Sequence, residues 1–251
     1  MNALVSIGLP GATDHTILEA LAPRIERLGF HALWLNDTPG GDALAGLRVV
    51  ARHTSTLALC TGVIPLDRRP ADTLDLDGIP ADRLVLGVSG GAGRGAVARL
   101  LDGVGHLREA TTARIVVGAL GPVLRRAAAE HTDGVLLSWL TPAAAEAAMS
   151  DLRRDAAGRD VAGILYARTI VDEAARNALT AEAERYASVP AYAANFARLG
   201  IGPLDTTIRD AARLAAYRAV LDEVVLRAIT PDGTPAQLEA FVERAARLLG
   251  E

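Results

Sequence analysis

Few positions in this 251-residue chain have the type and spacing for acid, base or nucleophile chemistry. Asn36-Asp37 closes the apolar run that starts at Ala32 and precedes Thr-Pro-Gly. Asp37 is therefore either a group that exchanges protons at a strand end or a turn former bonding its own backbone. Thr61-Gly62-Val63 sets a glycine inside an apolar run, the mark of a bulge or of a close approach between backbone and ligand. Arg68 and Arg69 follow, two permanent charges suited to a carboxylate or phosphate, or a solvated loop pair. Ser89, Gly90 and Gly91 open a glycine-rich run that lets a flat ring approach the backbone. Its Gly91-x-Gly93-x-Gly95 spacing departs from the dinucleotide fingerprint, and no acid closes a strand about twenty residues on to hold a ribose. Ser138-Trp139-Leu140-Thr141 leads into a helix, where hydroxyls and unpaired backbone donors can hold a phosphate while Thr141 caps the helix and Pro142 takes its first position.

Other chemistries are excluded by what the chain lacks. All 26 basic residues are arginine, so a Walker phosphate loop, a Schiff-base aldolase and a pyridoxal phosphate enzyme have no lysine to work with. The five histidines are scattered without a metal pattern, and Ser89 lacks the spacing of a Gly-x-Ser-x-Gly elbow. No metal is expected. Cys60 lies in an apolar run and reads as a buried small residue. The net charge of -4 argues against a nucleic-acid or polybasic membrane partner. The start MNALVSIGLPG lacks the form of a signal peptide, and no apolar run reaches membrane-spanning length, so a cytoplasmic protein is expected. With the acid and base inventory this thin, chemistry carried by a bound cofactor is the economical reading.

Short β-type runs alternate with helical stretches along the whole chain. Strands are expected at Leu4 to Leu9, Ala32 to Asn36, Leu57 to Ile64, Arg83 to Val88, Arg114 to Ala119, Gly134 to Ser138, Val161 to Ile170 and Glu223 to Ile229. The first helix shows the amphipathic spacing Ile17, Leu18, Leu21, Ile25 and Leu28, with Thr13 or Asp14 to cap it and Gly29 to end it. Eight strands and eight helical connections in 251 residues fit an α/β fold, a (β/α)8 TIM barrel over residues 1–251, with a helical segment at about 174–220 before the last strand. An open doubly wound sheet is the competitor. In a barrel the strand carboxyl ends carry the reacting groups, which is where the candidates above fall.

The segments Leu28-Gly29-Phe30 to Asn36-Asp37, Thr61-Gly62-Val63-Ile64-Pro65 to Arg69-Pro70, Asp82 to Val88 and Asp133-Gly134-Val135-Leu136 to Thr141-Pro142 resemble the bacterial luciferase-like oxidoreductases. The resemblance runs in order to Glu223-Val224-Val225-Leu226-Arg227 and is nearest the compact branch dependent on flavin or coenzyme F420. It implies a barrel holding F420 or FMN across its carboxyl end. Asn36 and Asp37 would lie beside the reactive ring and the substrate. Thr61, Gly62 and Val63 would support one ring face as a bulge, often with a non-prolyl cis peptide in this family. Ser89, Gly90 and Gly91 would line the cofactor, and Ser138, Trp139, Leu140 and Thr141 would receive its phosphate. Arg68 and Arg69 would suit the polyglutamyl tail of F420, which favours F420 over FMN. The chain departs from the family in being shorter than many members, and in placing Thr38 where several deazaflavin enzymes have a histidine, so no catalytic imidazole is assigned.

The expectation is an F420- or flavin-dependent oxidoreductase or monooxygenase of that family, moving a hydride between F420 or FMN and a small organic substrate, as a homodimer, with Asp37 orienting or exchanging a proton with that substrate. Two readings compete with it: a non-catalytic flavin-binding barrel, and an open-sheet NAD(P)-dependent enzyme resting on the Gly91 to Gly95 loop.

Overall fold

A computed structural model describes residues 3–91 and 93–250. Ala92, inside the glycine-rich run, lies outside the described residues. The strands are β1 (Leu4–Pro10), β2 (Ala32–Asn36), β3 (Ala58–Thr61), β4 (Ile64–Pro65), β5 (Leu84–Ser89), β6 (Arg114–Gly118), β7 (Gly134–Ser138), β8 (Ala162–Thr169) and β9 (Glu223–Ala228). The helices are α1 (His15–Arg27), α2 (Ala43–His53), α3 (Ala96–Ala110), α4 (Pro122–His131), α5 (Pro142–Ala156), α6 (Arg176–Ala187), α7 (Pro190–Leu199), α8 (Ala211–Arg218) and α9 (Pro235–Arg247).

All ladders are parallel, in the order β3-β2-β1-β9-β8-β7-β6-β5-β4, and pairing of β3 with β5 closes the sheet. β3 and β4 are two halves of one staves-like strand, so the result is a closed eight-stranded (β/α)8 barrel. That closure overturns the open doubly wound sheet and, with it, the reading built on a dinucleotide crevice. The strand expected at Leu57 to Ile64 is broken at Gly62–Val63, whose peptide is cis. The connection after Arg69-Pro70 holds a single 3-10 turn, Ala71–Thr73, in place of a full helix.

Helix starts follow from local chemistry. Asp14 accepts from Thr16 N at the head of α1, Asp42 from Leu44 N and Ala45 N at α2, and Thr141 from Ala144 N at α5. Proline takes the first position of α4, α5, α7 and α9, where its missing N–H costs no hydrogen bond. Gly29, at φ 81°, ends α1 in the left-handed region.

Because side chains alternate along a strand, each stave faces both the barrel interior and the helical jacket. The interior column is Trp34, Cys60, Val116, Leu136, Ile164, Tyr166 and Val225. Ile7, Leu9, Leu33, Leu35, Leu86, Leu137 and Leu226 pack outward under the helices. The amino-terminal floor of the interior holds Glu223, whose Oε1 accepts from Ser6 Oγ at 2.5 Å and Trp34 Nε1 at 2.7 Å. Burial pushes the Glu223 carboxyl above its ordinary value even against those two bonds. Burial, then the nearby Glu223, likewise drives the Cys60 thiol up, so Cys60 is an inert core residue. Among the described residues no helix is long and apolar enough to cross a membrane.

Candidate active site

The next inward positions beyond the interior column form the mouth at the strand carboxyl ends. They are Asn36 on β2, Gly62 after β3, Ser89 on β5, Gly118 on β6 and Ser138 on β7. Each is partly exposed, as is Val63. A Cβ on Gly62 would lie 3.1 Å from Trp34 Cε3 and 3.5 Å from Tyr166 Cε2, so this position caps the interior column. A Cβ on Gly118 would lie 3.0 Å from Val63 Cγ1. These two glycines and Val63, whose side chain lies against Gly118, make a floor rimmed by one amide and two hydroxyls.

Thr61 is fully buried beneath this floor. Its Oγ1 donates to Gly87 O and accepts from Gly87 N, both at 2.9 Å, stitching β3 to β5 at the closing seam. Gly87 must be glycine, since a Cβ there would lie 1.8 Å from Thr61 O. Asn36 Oδ1 accepts from Gly11 N at 2.8 Å, which fixes the amide and leaves its Nδ2 as a donor.

Asp37, Arg68 and Arg69, singled out separately in the sequence, meet in one cluster. Arg68 Nη2 donates to the Asp37 carbonyl and to its Oδ1, while Arg69 Nη1 donates to Asp37 Oδ2. Arg69 also pairs with Asp42 at 3.0 Å, and Ala43 N donates to Asp37 Oδ2 at 3.3 Å. The Asp37 side chain is 0% exposed, so its lone pairs are spent on the protein. Burial opposes, but Asp37 and then Asp42 raise, the pKa of the Arg69 guanidinium.

The glycine-rich loop folds onto its own surroundings. Arg99 Nε donates to Gly90 O at 2.7 Å, and a Cβ on Gly90 would lie 2.0 Å from Ala96 O. Gly91, at φ 73°, abuts the Asp67 side chain. Beyond Ser138, Trp139 is buried with φ 56°, Leu140 is buried with its carbonyl accepting from Tyr217 Oη at 2.6 Å, and Thr141 caps α5. Trp139 and Leu140 are thus walls, while Ser138 and Thr141 retain partial exposure.

The other side of the mouth carries residues that the sequence reading passed over. Arg168 on β8 donates from Nε to Glu182 Oε1 at 2.9 Å and from Nη1 to Ser138 Oγ at 2.8 Å. Its guanidinium lies 3.9 Å from the Trp139 ring centroid and 4.6 Å from that of Tyr186. Arg227 on β9 approaches Glu182 Oε2 at 3.5 Å. Burial would raise the Glu182 carboxyl, but Arg227 and Arg168 hold it below its ordinary value. Tyr166, inward and buried, is pushed up to about 12 by burial. The signal available was alternation: Tyr166 and Arg168 continue the inward set Ala162, Ile164, and Arg227 continues Glu223, Val225. Among the described residues there is no group of three or more His, Cys, Asp or Glu placed to hold a metal ion.

The luciferase-like monooxygenase family profile matches residues 8–114, from β1 to the start of β6, which bears out the resemblance read from the sequence. No curated protein matches the chain. Among solved structures, an F420-dependent secondary alcohol dehydrogenase in complex with an F420–acetone adduct is similar at TM-score 0.73 and 12% identity, covering 97% of this chain and 99% of that one. A monooxygenase from Streptomyces bottropensis is similar at TM-score 0.72 and 19% identity, over 98% of both chains. The oxygenating constituent of 3,6-diketocamphane monooxygenase from Pseudomonas putida, in complex with FMN, gives TM-score 0.68 and 12% identity, over 98% of this chain and 97% of that one. At these identities the structural likenesses establish the shared barrel.

Proposed function

We propose that this chain is an oxidoreductase that binds coenzyme F420, or FMN in its place, across the carboxyl end of the barrel and moves a hydride between that cofactor and a small organic substrate. The observation that carries the reading is the floor of Gly62, Val63 and Gly118, on which Val63 is the one side chain, rimmed by Asn36, Ser89 and Ser138. A low surface made of two glycines and one small apolar side chain, edged with hydrogen-bonding groups, suits a flat tricyclic ring. The residues therefore fit a flavin-type cofactor, and the relatives that carry F420 or FMN support it.

When bound, either cofactor supplies the carbon or nitrogen that gives or takes the hydride. The chain supplies position. Gly62 and Val63 would bear one ring face, with Thr61 fixing the segment beneath, and Asn36 Nδ2 and the Ser89 and Ser138 hydroxyls would donate at the ring edge. Thr141 and the uncapped N–H of Ala143 at the head of α5 would receive a phosphate, since Pro142 has no N–H and Ala144 N is held by Thr141. Asp37 acts as a positioning residue, fixing the segments that carry Asn36 and Arg68, because its carboxylate is fully engaged. Arg68 Nη2 and Arg69 Nη1 are engaged by Asp37 and Asp42, while the Arg68 side chain keeps 36% exposure through which it could meet an acidic cofactor tail; the similar structures carry both F420 and FMN and favour neither.

The non-catalytic reading keeps one observation in its favour: among the described residues no unpaired carboxylate faces the floor, since Asp37 and Glu182 are both held by arginines. One experiment separates the two. Titration with F420 and with FMN is followed by mixing the loaded, reduced protein with carbonyl acceptors and with oxygen. Micromolar binding with oxidation of the cofactor supports an enzyme. Binding without oxidation by any acceptor supports the non-catalytic barrel, and binding of neither cofactor contradicts both.

A further inference from the structure

Two arginines, Arg168 and Arg227, stand at the β8–β9 side of the mouth with only 4% and 9% of their surface exposed. Among the described residues one carboxylate serves both, Glu182 of α6, with Arg185 of the same helix at 3.6 Å from outside. Two guanidiniums and one carboxylate leave the buried cluster with an excess positive charge, costly unless an anion approaches. Beside them the Tyr166 hydroxyl is buried with no hydrogen-bond partner, although it is a protonated donor. Glu182 and Arg227 also line an open cleft of about 390 Å³, together with Pro10, Thr13 and Thr230, so solvent reaches this cluster from the β1–β9 side. The carboxylate comes from a helix that is anchored separately, by Leu179 buried against Ile170 and Ile229 and by Tyr186 tilted against Trp139 with ring centroids 5.2 Å apart, so the Glu182 side chain can leave the arginines without the helix leaving the barrel.

We propose that Arg168, Arg227 and the Tyr166 hydroxyl form a receptor for an anionic group, a carboxylate or phosphate, and that Glu182 is an internal occupant which that group displaces. A planar guanidinium pair with a phenol donor is the geometry that takes a carboxylate or phosphate fork to fork. Arg168 also touches Ser138 on the rim of the floor, so the bound anion would sit at the edge of the proposed ring site. Which molecule brings the anion rests on the proposed oxidoreductase reading: with the cofactor phosphate assigned to Thr141 and the head of α5, it is the acid group of the substrate.

Inorganic phosphate is the probe, titrated into the whole protein with emission of Trp139, which stacks on Arg168, as the readout; Trp139→Phe assigns the signal against Trp34. Removing the internal competitor with Glu182→Gln is expected to tighten phosphate about ten-fold or more, because apparent affinity scales with the fraction of open receptor. Glu184→Gln, the same charge change at an exposed site on α6, is expected to leave it unchanged. Arg227→Gln is expected to abolish it. Equal affinity in the wild-type protein and in Glu182→Gln, or an equal gain in Glu184→Gln, overturns the proposal even if Arg227→Gln fails to fold. Repeating the titration on protein loaded with F420 or FMN separates the sources: competition assigns the receptor to the cofactor phosphate, additive binding to the substrate acid. If neither cofactor loads while phosphate still binds, the oxidoreductase reading fails and the receptor stands.

Discussion

Thr61 shows how much one side chain does at the closing seam. The ladder between β3 and β5 stops where the chain turns at Gly62–Val63, and Thr61 Oγ1 takes over both the donor and the acceptor of Gly87. Thr61→Val keeps the shape and orphans two buried backbone groups, so a loss on the order of 2 kcal/mol is expected in denaturant unfolding. Asp37→Asn is expected to destabilise by roughly 3 kcal/mol, since it leaves two arginines facing an uncharged amide, while cofactor-loaded turnover per folded molecule falls modestly. A collapse of turnover in folded Asp37→Asn would instead make Asp37 a catalytic residue. Glu223 gives a pH test. Its folded pKa is raised, so the ionised form costs stability as pH climbs above the ordinary value of 4.5. Glu223→Gln keeps an acceptor for Ser6 and Trp34 and avoids the charge; its stability relative to the wild-type protein is expected to grow with pH above that point. The opposite sign holds for Glu26. Burial opposes ionisation there, but N–H groups of Thr56, Leu57 and Ser55 bring its pKa from 4.5 down to about 2. Its contribution is present above 4.5 and lost as pH falls toward 2, so the Tm deficit of Glu26→Gln is expected to vanish over that window.

At the scale of elements, α6 and α7 pack on the barrel through small clusters separate from the main core. Their contacts are an aromatic cluster, Trp139, Tyr186, Tyr192 and Phe196, a small apolar cluster of Leu179 with Ile170 and Ile229, and the Glu182 ion pairs. Phe196→Ala removes the edge contact on Trp139, ring centroids 5.7 Å apart, at a cost of roughly 3 kcal/mol. Amide exchange is expected to accelerate across 176–199 while the strands keep their protection. This is also where the sequence was least legible. The strands announce themselves because burial on both faces leaves unbroken apolar runs, and the ends expected for β2 and β7 coincide with those observed. Gly62 flagged the break in the third stave. The Glu182 contact was hidden because it depends on tertiary approach: Arg227 meets a carboxylate on a helix that precedes β9, and α6 is alanine-rich with little amphipathic contrast. Asp37 with Arg68 and Arg69 was half legible, since the residues stood out but their mutual pairing did not.

For the whole molecule, the barrel gathers at one end groups far apart in the chain, from Asn36 to Arg227. One side of that end is an open glycine floor and the other is a charged rim closed by α6. The central claim is that the floor holds a flavin-type ring, and the most direct test is hydrogen exchange of the protein with and without F420 or FMN. Binding of one of them is expected to slow exchange at 61–64, 87–90 and 118–120, the segments that form the floor, and to leave the amino-terminal floor around Glu223 unchanged. Binding with no protection at those three segments, or no binding of either cofactor, would contradict the account.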